Sequence, residues 1–139
     1  MKWPFGFRRK PRITEEHYGR LMTSFGRTAD KDPFVWRPSK ALANRVVEEF
    51  PDVVEAVDAR MYQGSARYHL ELLAASWIMS DEGAVPRETA EVFEEAVVWK
   101  LEPLVKGSGE LSRRVSALAR GEIERDERLD SNFQADQGA

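Results

Sequence analysis

Cysteine is absent from the chain, and that one absence removes disulfides, thiolate nucleophiles, CxxC redox pairs and zinc–thiolate sites from the functions open to it. Histidine is nearly absent as well: His17 and His69 are the only two, so imidazole chemistry has two addresses. Long apolar runs are missing too. The longest, Leu72 to Met79, is interrupted by Ser76 and falls far short of the roughly 20 residues a membrane-spanning helix needs. The sequence offers no Gly-x-x-x-x-Gly-Lys phosphate loop and no Gly-x-Ser-x-Gly nucleophile turn, and no motif in it marks a family.

What is present begins at the amino end. Residues Met1 to Arg12 hold Lys2, Arg8, Arg9, Lys10 and Arg12 together with Trp3, Phe5 and Phe7, two prolines and no acid. Pro4, Gly6 and the cationic cluster leave no apolar segment of signal-peptide length, so a cytoplasmic protein is expected, with peripheral contact to a membrane as the variant of that reading. The net charge of −3 conceals a division: residues 1 to 45 carry 11 basic and 4 acidic side chains, and residues 46 to 139 carry 10 and 20. Charge separated in this way steers association.

The 139 residues are enough for one core without staples. Caps and apolar spacing predict a helix over 14–28, opened by Thr14 and carrying Tyr18, Leu21, Met22 and Phe25 on one face. Asp30, Asp32 and Pro33 read as a turn, with Phe34, Val35 and Trp36 as a short apolar plug for the core. Ser39 is taken as the cap of a second helix that Pro51 interrupts, and Val53, Val54, Val57 and Met61 continue a helical stripe to Gly64. Ser65 opens a helix over 66–80 that is apolar around much of its circumference, which marks a central helix. A fifth helix is expected over 86–105, kinked or ended by Pro103, and a last one after Gly107-Ser108-Gly109 to about residue 127. The sum is an all-α compact bundle of five or six helices: an extended arm over 1–13, a helical domain over 14–129 and a short flexible tail over 130–139.

No catalytic constellation emerges. His17 follows Glu15 and Glu16, and adjacent helical positions diverge, so the three cannot converge on one ion. His69 and Glu71 diverge for the same reason, and the Glu-x-x-His pairs of a di-iron bundle are missing. The pairs Glu48-Glu49, Asp81-Glu82 and Glu94-Glu95 lack the geometry of an acid and base, and Glu91, Glu95 and Glu102 suggest a solvated acidic stripe. The glycines around Ser108 form an interhelical turn, since Glu110 at the following helix start opposes a phosphate there. No catalytic residue, metal ligand or cofactor site is assigned.

The functional reading that remains is a non-enzymatic protein–protein interaction module, an adaptor or assembly subunit. Its expected contact residues are Trp3, Phe5, Phe7, Arg8, Arg9, Lys10 and Arg12 in the arm, with Val98 and Trp99 as an apolar second face of helix 86–105. Partners are a protein or a second copy of the chain. Two alternatives stand beside this: a small-molecule-binding or enzymatic bundle that uses His69 with core carboxylates, and peripheral association with anionic membranes through the arm. Nucleic acid is disfavoured because the acidic part of the chain repels a polyanion and no basic groove accompanies the arm.

Overall fold

The computed structural model describes residues 13–121, so the arm residues Trp3 to Arg12 and the tail beyond 121 lie outside the described residues. Within them the chain is all-helical: α1 Glu15–Ala29, α2 Pro33–Glu49, α3 Pro51–Arg60, α4 Ser65–Asp81 and α5 Arg87–Leu101, followed by α6 over 109–121. There is no strand among the described residues.

Helix α1 starts where its cap requires. The Thr14 hydroxyl accepts from the His17 amide at 3.1 Å, and Glu15 and Glu16 place negative charge on the first turn. The cap of α2 lies seven residues before the expected Ser39. Asp32 is the cap, its carboxylate accepting from the Phe34 amide at 2.9 Å, and Pro33 occupies the first helical position. Pro38 is accommodated inside α2 on the solvent side, where the carbonyl it fails to serve, that of exposed Phe34, is close to water. Ser39 is buried within the helix, its hydroxyl donating to the Val35 carbonyl at 2.6 Å. The apolar plug is thus corrected: Val35 alone enters the core, whereas Phe34 is 82% exposed.

Pro51 does break the chain. Phe50, at φ −133° and ψ 56°, separates α2 from α3. Helix α3 ends at Arg60, before the expected stop at Gly64, and Gly64 instead precedes α4 with φ 87°, a left-handed setting that favours glycine. The cap of α4 is a long-range one. Asp58 of α3 accepts from the amides of Gly64 at 3.1 Å and Ala66 at 2.8 Å.

Helix α4 is the centre, in contact with α1, α2, α3 and α5. Leu70 and Leu73 of α4 and Phe93, Val97 and Leu101 of α5 are completely enclosed, each full burial contributing about 1.5–3 kcal/mol before chain entropy is subtracted. Phe25 of α1 stacks on Phe93 with centroids 4.8 Å apart. Helix α6 is tied to α4 by the Trp77 indole, which donates to Ser116 Oγ at 2.9 Å, and to the end of α2 by Arg114, which grips Glu49 through two bonds of 2.7 and 2.8 Å. That grip holds the Glu49 carboxyl below its usual pKa and raises the guanidinium of Arg114.

The expected helix 86–105 is shorter than its apolar pattern suggested. Regular α-helix ends at Leu101, two residues before Pro103, and the chain turns through 102–108 into α6. The Leu104 carbonyl on this turn accepts from Arg60 Nη1 at 2.6 Å.

Candidate functional site

Three elements converge on His69. The imidazole is 1% exposed, and both ring nitrogens are committed. Nδ1 lies 2.8 Å from the Ser65 carbonyl; a carbonyl only accepts, so Nδ1 carries the proton. Nε2 is therefore the acceptor, and the Tyr18 hydroxyl of α1 donates to it. The two rings lie nearly parallel, 14° between planes, with centroids 5.8 Å apart. Burial pushes the imidazole below the usual histidine pKa and Lys100 adds to this, while the bond to Ser65 opposes it. Burial also raises the Tyr18 phenol well above its usual value, with Tyr62 and Glu15 contributing. A neutral, directional bond joins α4 to α1 at this point.

The core carboxylates expected beside His69 do not meet it, because tyrosine and a backbone carbonyl use both nitrogens. Among the described residues no group of three or more His, Asp or Glu is placed to hold a metal ion. An open concavity of about 630 Å³ runs along α1 from Glu16 to Thr28. Its lining comes from that one helix and does not include His69.

Above the Tyr18–His69 pair sits the second expected contact region. Trp99 of α5 is 37% exposed and rests on the Tyr18 ring at 6.3 Å and 52°. Lys100 Nζ lies 5.3 Å from the centroid of the same tyrosine and reaches Glu15 at 2.8 Å. Tyr62 and Tyr68 are 52% and 38% exposed. Tyr68 is raised by burial first and by Asp30, Tyr62 and Glu71 after it. On this side of the molecule Tyr18 thus carries Trp99 and Lys100 of α5 and is itself held to α4 by His69. Val98 is turned elsewhere: it packs at the start of α6, where its Cγ1 would lie 3.2 Å from a Cβ placed on Gly109. Trp99 was legible as an off-stripe aromatic, but Tyr62 and Tyr68 carry no periodic signal that separates them from loop and core positions.

The glycine turn before α6 is an anion cradle that the chain fills itself. Glu102 accepts from the amides of Gly107 at 3.0 Å and Gly109 at 2.6 Å, and these bonds hold its carboxyl below the usual pKa. Glu102 is consequently drawn off the acidic stripe expected with Glu91 and Glu95. No helix among the described residues is long and apolar enough to cross a membrane. No known protein family, curated protein or solved structure matches the chain.

Proposed function

We propose that this chain is a helical protein–protein interaction module, an adaptor or assembly subunit, that meets its partner through the basic-aromatic arm Trp3 to Arg12 and the Trp99 side of α5. The observation that supports this most is the platform under Trp99. A large indole is left partly in solvent while the ring beneath it is held by a buried hydrogen bond to His69. Pre-ordered aromatic anchors lose little side-chain entropy on binding, and Trp, Tyr and Arg dominate the energetics of protein interfaces. On this reading His69 is a positioning residue for Tyr18, and the imidazole serves the shape of the surface.

The test compares the wild-type chain with Trp99→Ala and with an arm variant carrying Trp3→Ser, Phe5→Ser and Phe7→Ser. Cross-linking in native lysate followed by mass spectrometry gives the partners, and sedimentation velocity of the purified chains gives the oligomeric mass. Loss of the same cross-linked species in both variants, with unchanged circular dichroism, supports the reading. Partners and mass identical to wild type in both variants refute it.

A further inference from the structure

The most exposed large apolar side chain among the described residues is not on the Trp99 surface. It is Phe34, 82% exposed, in the first turn of α2. Arg37 and Pro38, three and four positions on, share its helical face and are also exposed, as is Pro33 before it. Beside them Trp36 is half-buried, with the Arg37 guanidinium 5.5 Å and the Lys40 ammonium 5.8 Å from its ring centroid. Lys31 is exposed just ahead of the helix.

The acids nearby are Asp30, Asp32 and Glu71. Asp32 is turned to the Phe34 amide as the helix cap. Glu71 is shared between Arg67 at 3.2 Å and Lys40 at 3.7 Å. Among the described residues no carboxylate forms an ion pair with Lys31 or Arg37.

We infer that the first two turns of α2 form a docking point for an anionic lipid surface, with Phe34 as the inserted wedge and Lys31, Arg37 and Lys40 at the level of the headgroups. Two arguments select this occupant. One phenylalanine flanked by prolines is too small to be the apolar core of a stable protein interface, which buries about 1,200–2,000 Å²; a bilayer needs no complementary pocket. The charge also matches. The turn itself carries Lys31, Arg37 and Lys40 against Asp30 and Asp32, the Asp32 carboxylate being turned to the Phe34 amide, and basic side chains near anionic headgroups are attracted while interfacial aromatics anchor. Weak surface anchors hold when two act together, and α2 supplies an element separate in sequence from the arm. Phe34, Lys31, Arg37 and Lys40 are separate from the arm and Trp99, so the α2 turn can fail or hold apart from the function proposed above.

The test is co-sedimentation of the full chain with vesicles of phosphatidylcholine alone and of equal parts phosphatidylcholine and phosphatidylserine. Binding to the phosphatidylserine vesicles, weakened by salt, is expected. Phe34→Ser lowers the partition coefficient about tenfold, and Lys31→Gln and Arg37→Gln each lower it about fivefold. Because all three side chains are exposed, thermal melting by circular dichroism stays as in wild type. A chain that fails to sediment with the phosphatidylserine vesicles overturns the inference. So does a Phe34→Ser variant that partitions like wild type, which assigns any lipid binding to the arm alone. Loss of a cross-linked protein in Phe34→Ser with unaltered vesicle binding also overturns it and gives the turn to a protein partner.

Discussion

Replacing Tyr18 by phenylalanine tests the reading of the buried pair most directly. The ring keeps its place: the stack on His69, the contact with Trp99 and the Lys100 ammonium over the ring all involve atoms that phenylalanine retains. What disappears is one donor, and His69 Nε2 is left without a partner at a site 1% exposed. A buried acceptor stranded in this way costs about 1–3 kcal/mol, a large part of the roughly 5–15 kcal/mol that keeps a domain folded. With a urea slope of about 2 kcal/mol per molar, the midpoint falls by about 0.5–1.5 M, and the melting temperature falls by about 3–10 °C. A double variant, Tyr18→Phe with His69→Leu, removes both polar partners and is expected to lose less than the two single losses combined. Urea titration followed by far-UV circular dichroism at pH 7.5 reads all four proteins. A Tyr18→Phe midpoint within about 0.2 M of wild type refutes the assignment of Nε2 as a buried acceptor satisfied only by Tyr18.

The same histidine sets an acid limit. Its pKa is lowered in the folded chain, whereas an unfolded imidazole titrates near 6.5, so the unfolded state takes up the proton first. This group adds no pH dependence well above about 6.5; as the pH falls below that value, stability declines until the native imidazole also protonates, by at most about 1.4 kcal/mol per unit. Urea midpoints between pH 5.5 and 7.5 fall more steeply for wild type than for His69→Leu, and equal slopes count against the burial argument. Asp58→Ala uncaps α4 and costs about 1–2 kcal/mol, seen as a lower thermal midpoint; an unchanged midpoint means that water replaces the carboxylate at Gly64 and Ala66. Gly109→Ala brings a Cβ to 2.9 Å from Glu102 Oε2 and 3.2 Å from both Arg113 Nη1 and Val98 Cγ1. Overpacking there costs about 1–3 kcal/mol, and a chemical-denaturation midpoint equal to wild type shows that the turn yields freely.

How legible the fold was depended on whether each signal was local. Thr14 with two glutamates placed α1 within a residue at either end, and Pro51 placed the α2–α3 break, because a short capping side chain and a proline act on their own neighbours. The start of α2 was misplaced for an equally local reason. Pro38-Ser39 looks like a helix opening, yet Asp32-Pro33 is one as well, and a proline within the second turn is tolerated when the carbonyl it abandons faces solvent. Trp99 could be picked out by its position off the apolar stripe, whereas the partners of His69 could not. Tyr18 lies 51 residues away, and nothing in helical spacing tells which tyrosine of the chain will close on a given imidazole. The caps supplied by Asp58 and Glu102 were hidden for the same reason: each acts across a turn, on a helix other than its own.

Glu102 has one more effect on how the molecule meets its surroundings. Open amides at the beginning of a helix welcome phosphate, sulfate or any stray carboxylate. By folding one of its own acids back onto Gly107 and Gly109, the polypeptide satisfies that appetite internally. At the corner between the fifth and sixth helices these two amides are thereby occupied from within the chain and not left open to an outside anion.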